Sequence, residues 1–479
     1  MSDAPLAVVG GRLGHISVLT ATIALTCLGL LLASGLQVLD PMVRHDDFAA
    51  LLAEPSWYYT KTLYEGRWLN YLWHFRGVVT PSWLSYLAYQ FFWAVFAACL
   101  ANLALSNKAE LWHRVALALL VTLVPSALLI SLWFNTLMPG MGLVALYAWI
   151  STRVTESTAR RLLVLFVPLT LLTYTTYPLF LLALCLSRAD TQRSLRDLGS
   201  LMTVFIASFA LGMLVIYTLN SFEHGIFGVP MAPWRNATPA HDLASVLENA
   251  KQIGTFLYES GRVLGFGYFP MTLAHLALMA TAVVVCGRRD PLRVGYILCG
   301  ISAGLGLIFL QTVKSGISLP VRVIGFAWAM YAVLLVLLVL QLCEKGGLRE
   351  RLSRNVLIFF VMAYAAGTFQ QSLIYGAWQK ETRTMAASIG SGPEPVFVTG
   401  TYKSLLNADR SGIQNPRGLR LRLAYLTGRS VITCEVHPEQ CGDLPPEMLA
   451  DRPPGEAEVH RLDGKIVVRL SKQIVSARH

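Results

Sequence analysis

Charge is what this sequence has least of. Only 14% of its 479 residues are charged while 54% are hydrophobic, and the mean hydropathy is +0.53. Such a composition excludes an ordinary soluble globule and indicates a membrane protein. The formal charge of +11 does not indicate nucleic acid as a partner. Lysines and arginines stand at the ends of hydrophobic runs instead of forming one basic stripe. Within the runs ionisable groups are nearly absent, which argues against a transporter or flippase lined by buried charges. The polar C-terminal stretch lacks a Gly-rich phosphate loop, a metal-ligand cluster and an internal repeat.

What is abundant is hydrophobic sequence of spanning length. A hydrocarbon core of about 30 Å takes about 20 apolar residues per helix. Runs that fit are 16–38, 83–104, 115–131, 200–219, 263–286, 294–312, 322–343 and 356–378. Two more regions are broken: 133–151 by Pro139-Gly140, and 162–187 by Tyr174-Thr175-Thr176-Tyr177-Pro178. The second reads as two half-length helices meeting at a polar tip. The expected fold is an all-α polytopic membrane protein of about eleven transmembrane helices over residues 1–378. A small α/β domain is expected over 379–479. The first run is longer than a signal-peptide core of 7 to 15 residues, so it is expected to remain as a span. Sixteen of the 39 basic residues, Arg12 and Lys108 among them, fall in short loops on one side. That bias places the N-terminus in the cytoplasm and the C-terminal domain outside.

Two outside loops are long, 39–82 and 220–262. In the second, Thr238 is a candidate helix cap with Pro239 in the first turn. Leu243, Val246, Leu247, Ala250, Ile253 and Leu257 then recur at helical spacing. This helix either lies on the membrane surface or packs as a lid. In the C-terminal domain, Val396-Phe397-Val398, Leu419-Arg420-Leu421-Arg422-Leu423, Val431-Ile432-Thr433 and Lys465-Ile466-Val467-Val468-Arg469 read as strands, with Asp463-Gly464 as a hairpin turn. Cys434 and Cys441, seven apart in this polar stretch, are expected to pair in an oxidising compartment. The other six cysteines lie in or beside apolar runs and behave as small hydrophobes.

The first outside loop carries the chemistry. It contains Arg44-His45-Asp46-Asp47-Phe48, followed by Tyr64-Glu65-Gly66-Arg67-Trp68-Leu69-Asn70-Tyr71. Of two neighbouring carboxylates one holds its proton more firmly, which suits Asp46 and Asp47 to a division between general base and acceptor-binding group. The planar guanidinium of Arg67 suits a phosphate, and Lys314 and Arg322, flanking a short outside loop, are further phosphate candidates. Glu65, Trp68, Tyr174 and Tyr177 are candidates for substrate contact. Each has a plainer reading. The aspartates can cap a helix at Phe48, the tyrosines can form an interfacial belt, and the cations can snorkel to headgroups. Glu223, His224, His241 and Asp242 have no fixed mutual spacing and are not expected to form a metal site.

This layout resembles the GT-C class of membrane glycosyltransferases and, within it, the GtrII-type family, in which Asp-Asp in the first outside loop precedes a Gly-Arg-Trp-like element. His45-Asp46-Asp47-Phe48 and Gly66-Arg67-Trp68-Leu69 match in order and spacing. The resemblance implies a polyprenyl-phosphate-linked sugar as donor and an O-antigen, lipopolysaccharide or other envelope glycan as acceptor. It places transfer at the periplasmic face of a bacterial inner membrane and the catalytic carboxylate at Asp46 or Asp47. Membrane lipids are then partners, no cofactor is implied, and dependence on a divalent metal stays open. A transporter or flippase of polyprenyl-linked sugar, an O-antigen polymerase or ligase, whose large loop typically falls late in the chain, and a structural assembly subunit using the C-terminal domain are the alternatives.

Overall fold

The computed structural model describes residues 17–107 and 109–475. Arg12 and Lys108, used above for orientation, lie outside the described residues. The chain is mostly helical, with a small C-terminal sheet, an architecture consistent with a polytopic membrane protein. Its helices in order are α1 (Val18–Ser34), α2 (Pro55–Glu65), α3 (Trp68–Phe75), α4 (Ser82–Ala104), α5 (Leu111–Thr122) and α6 (Pro125–Ile130). Then come α7 (Phe134–Ser151), α8 (Glu156–Leu171), α9 (Tyr177–Ser187), α10 (Leu195–His224), α11 (Leu243–Leu264) and α12 (Phe269–Arg289). The series ends with α13 (Pro291–Ser315), α14 (Gly325–Cys343), α15 (Gly347–Ile389), α16 (Leu406–Arg410), α17 (Pro416–Thr427) and α18 (Pro446–Leu449).

Among the described residues eight stretches are long and apolar enough to cross a membrane. They are α1 with its following turn, α4, α6 continued into α7, α10, α12, α13, α14 with its preceding turn, and α15. The run 115–131 is not one helix. α5 ends at Thr122, and Pro125, which has no N–H to donate, starts α6, which continues through a short turn into α7. Conversely, Pro139 sits within a continuous α7. Gly140 beside it allows a close approach, because a Cβ there would lie 2.3 Å from Thr173 Oγ1. Thr173 belongs to the turn that separates α8 from α9, two short helices of 16 and 11 residues. At their centre, α14 is buried nearly throughout, as the core-facing helix of a bundle must be.

Two further expectations change. α11 is capped by Asp242, whose carboxylate accepts the Ser245 N–H at 2.7 Å while Ser245 Oγ receives the Asp242 N–H, a reciprocal capping box. Thr238 instead donates to Asn249 Oδ1 at 3.1 Å. One face of α11 packs on α13 through Phe256 and Phe309, 6.0 Å between ring centroids, while Leu243 and Leu247 are exposed. Residues 419–423 are helix and not strand. Pro416 opens α17 and Gly428 at φ 68° closes it; leucines and arginines alternate along it as in a strand, but Leu421, Arg422 and Leu423 are all buried, as on a crowded helix.

α15 runs unbroken to Ile389, so the change of character near 378 falls within one helix. The sheet beyond it comprises β1 (Val396–Thr399), β2 (Val431–Thr433), β3 (Glu458–Leu462) and β4 (Lys465–Arg469) in the order β2-β1-β4-β3. β1 is parallel to both neighbours, and β3 and β4 form a hairpin about Asp463-Gly464, with Gly464 at φ 70°. β1 is buried throughout, which suits its continuous apolar sequence. A disulfide joins Cys434 to Cys441.

Candidate functional site

The two neighbouring aspartates face different surroundings. Asp47 is fully buried, and its Oδ1 and Oδ2 accept the backbone N–H groups of Thr136 at 2.6 Å and Asn135 at 2.9 Å. These amides belong to the first turn of α7, so Asp47 caps that helix from a distant part of the chain. Burial pushes its carboxyl up to about 6, against the hydrogen bonds from Thr136 and Asn135. Its plainer reading as a cap is therefore close to the observed geometry, although the helix capped is α7 and not the turn at Phe48.

Asp46 stays accessible, with 27% of its side chain exposed. His45 Nε2 lies 3.1 Å from one oxygen and Lys61 Nζ 3.5 Å from the other. Burial by itself would raise this carboxyl, but the His45 hydrogen bond and the charges of Lys61 and Arg67 hold it well below the usual carboxylate range. It is an ionised group beside cations, at the edge of water.

Glu65 anchors the rest. It pairs with Lys61 at 2.8 Å, one helical turn back on α2, with Arg67 at 2.6 Å and with Arg235 from the second loop at 3.7 Å. Gly66 between Glu65 and Arg67 closes α2 at φ 68°, and a Cβ there would stand 2.9 Å from Ile216. Only glycine meets both demands without strain. Burial opposes the charged form of Glu65, but Arg67 and Lys61 outweigh it and lower the pKa. Aromatic rings enclose the cations. Lys61 lies 5.1 Å from the Trp57 ring and 4.9 Å from Trp234, and Arg67 lies 5.0 Å from Tyr174. Arg417, at the start of α17, stacks on Trp57 at 3.7 Å, and its charge interacts with Asp46.

Four other sequence candidates lie elsewhere or have other duties. Trp68 is 8% exposed and donates from Nε1 to Asn220 Oδ1 at 2.9 Å, fastening α3 to α10. Tyr177 is fully buried, with its hydroxyl 3.2 Å from that of Tyr89. Lys314 is exposed at the end of α13, where its carbonyl accepts the Ala240 N–H, and has no contact with the Asp46 cluster. Arg322 stacks on Trp133 at 4.1 Å. Glu223 and His224 are engaged by Tyr59 and Thr62, while Asp242 caps α11. Among the described residues no three His, Cys, Asp or Glu side chains gather as metal ligands.

No family model matches the chain, and no curated protein or solved structure is significantly similar to it. The site is therefore read from its own geometry. Sequence reasoning missed Lys61, Trp57, Trp234, Arg235 and Arg417. The i,i+4 spacing of Lys61 and Glu65 was a usable signal, whereas nothing in the sequence ties Arg417 to a loop more than 300 residues earlier. An apolar groove of about 690 Å³ opens between α1, α5 and α15, lined by Leu25, Leu119 and Ile358 among others. None of its lining residues belongs to the first loop, and its walls suit hydrocarbon, not a sugar. In the Asp46 cluster, by contrast, a carboxylate near water, several cations and flat aromatic faces converge, the groups needed to deprotonate a hydroxyl and hold an anion beside a sugar ring.

Proposed function

We propose that the chain is an integral-membrane glycosyltransferase of the GT-C kind, similar to the GtrII type. It moves a sugar from a polyprenyl-phosphate donor to a hydroxyl of an envelope glycan such as O-antigen or lipopolysaccharide. In this reading residues 1–378 form the membrane domain, and the three shorter helices α5, α8 and α9 join the eight longer ones as eleven segments. The first loop and the domain of residues 379–479 face the periplasm of a bacterial inner membrane, with the N-terminus in the cytoplasm.

The single observation that carries the proposal is the ionised, accessible Asp46 set among Lys61, Arg67 and Arg417 with Trp57 alongside. Asp46 is the general base. A carboxylate held so acidic by cations is a weak base at rest. An acceptor hydroxyl arriving at Asp46 displaces these cations, which relieves the carboxylate of positive charge and raises its affinity for a proton. Glu65 keeps Lys61 and Arg67 in place, and Trp57, Trp234 and Tyr174 offer faces for the sugar. Among the described residues of the eight longer spans the one buried histidine, His275, has both ring nitrogens bonded, to Tyr331 and Tyr364 hydroxyls at 2.9 Å each. It is a satisfied core group and gives no support to a transport pathway.

The test is transfer itself. Purified protein in vesicles is supplied with radiolabelled polyprenyl-phosphate sugars and envelope glycan. Label in the glycan is the expected result. Labelled lipid crossing the bilayer with no glycan product overturns the proposal in favour of a flippase.

A further inference from the structure

Six cations gather about the first loop, and four have anionic company. Lys61, Arg67 and Arg235 are paired with Asp46 or Glu65, and Arg417 interacts with the charge of Asp46. Arg44 and Arg322 differ. Among the described residues neither has a carboxylate within 4.0 Å. Arg44 is only 7% exposed, donates from Nη1 to the Gly412 carbonyl, and leaves its Nε without an acceptor. Its guanidinium lies 5.8 Å from the Trp133 ring, and that of Arg322 lies 4.1 Å from the same ring. Burial and the charge of Arg322 both work against the charged form of Arg44, with Tyr375 opposing. Two guanidinium groups so placed repel each other, and one is nearly out of water. That arrangement is unfavourable until an anion arrives.

We propose that Arg44 and Arg322, gathered at Trp133, form the site for a phosphate carried on a membrane lipid. Within the glycosyl-transfer reading, on which this rests, they and not Arg67 receive the leaving group. The chemistry favours that division. In a single displacement the acceptor oxygen attacks the sugar carbon from one face. The carbon–oxygen bond to the phosphate breaks on the other face, its electron pair leaves on the phosphate oxygen, and the hydroxyl proton passes to Asp46. Cations already engaged by Asp46 and Glu65 stand on the side of the base. Arg44 and Arg322 are free of it. Their place also suits a lipid, because Trp133 immediately precedes α7 and Arg322 lies in the turn Val321–Ile324 immediately before α14. A phosphate there sits where two apolar helices begin, and its hydrocarbon can run along them. The planar forks of the two arginines match phosphate oxygens better than ammonium groups would.

The experiment needs no sugar. Full-length protein in detergent is titrated with farnesyl phosphate, inorganic phosphate or farnesol, and binding is read as a rise in unfolding temperature. Farnesyl phosphate should bind the wild type. Arg322→Gln and Arg44→Gln should each weaken it by about tenfold or more, the loss of a charge-assisted hydrogen bond. Arg67→Gln should leave it within about twofold, well under the loss of one such bond. Farnesol should not distinguish the variants. Among the described residues Arg322 has no hydrogen-bond partner, so Arg322→Gln carries the test if Arg44→Gln fails to fold. Farnesyl phosphate bound equally by wild type and Arg322→Gln overturns the inference, as does an equal loss in Arg67→Gln. Inorganic phosphate binding as tightly as farnesyl phosphate overturns the assignment to a lipid. Arg322-dependent binding without sugar transfer would sink the transfer reading alone. Undiminished transfer in Arg322→Gln would sink this inference alone.

Discussion

Arg422 grips Asp40 with both ends of its guanidinium, Nη1 to Oδ1 at 2.8 Å and Nη2 to Oδ2 at 2.5 Å. The pair joins α17 of the C-terminal domain to the start of the first loop, and Arg422 is only 4% exposed there. Arg383 supports it at 3.3 Å, and the Phe48 and Tyr425 rings meet nearby at 6.2 Å between centroids. Arg417 sits on the same helix as Arg422, so this ion pair helps to hold the helix that brings Arg417 onto Trp57.

Arg422→Met should therefore loosen the C-terminal domain and remove Arg417 from the site. The expected cost is about 2 kcal/mol for a bidentate bond to a charged partner. Limited proteolysis of the full chain checks this, and the part of the chain beyond α15 should be cut sooner than in the wild type.

Asp47 should prove a structural residue. Asp47→Ala leaves the amides of Asn135 and Thr136 without an acceptor and should cost about 1–3 kcal/mol. Asp47→Asn, which keeps one acceptor oxygen, should cost less. Thermal unfolding in detergent gives both values, and equal losses in the two variants would remove the capping role.

Gly66→Ala should strain the end of α2 by about 1–2 kcal/mol, since alanine is disfavoured at positive φ. The new methyl must also displace Ile216. Glu65 and Arg67 then lose their mutual geometry, so activity should fall further than stability. Comparing rate per folded molecule with unfolding temperature separates the two effects.

The ion network sets a pH dependence. Asp46 and Glu65 have depressed pKa values in the folded state. Their contribution is thus fully present above the usual carboxylate value of about 4 and is lost as pH falls below it. Asp47, raised to about 6, acts in the opposite sense between about pH 4 and 6. The expected signature is read as a difference. The gap in unfolding temperature between wild type and Glu65→Gln should narrow as pH drops below about 4.

Much of the architecture follows from hydrophobic runs, because a span must bury or expose apolar surface over its whole length. Where one helix stops is subtler. Pro125 divides what composition joins, whereas Pro139 is absorbed within α7, where Gly140 beside it lets Thr173 approach closely. α17 reads as a strand because arginines alternate with leucines, yet Arg422 is buried by its ion pair with Asp40 and the polarity pattern fails to report exposure. The Asp-Asp pair and Arg67 are visible in the sequence. The division of labour between Asp46 and Asp47 is not, because it depends on the α7 amides that reach only the second carboxylate. Arg417 and Arg235 were invisible for a related reason. They meet the first loop only through tertiary packing.

The measurement that bears most directly on the central claim is the rate of label transfer from polyprenyl-phosphate sugar to glycan by Asp46→Asn and Asp47→Asn, each normalised to folded protein. The account predicts a loss of about 10²- to 10⁴-fold for Asp46→Asn, the usual contribution of a general base, and a rate near wild type for Asp47→Asn. A wild-type rate in folded Asp46→Asn would contradict it.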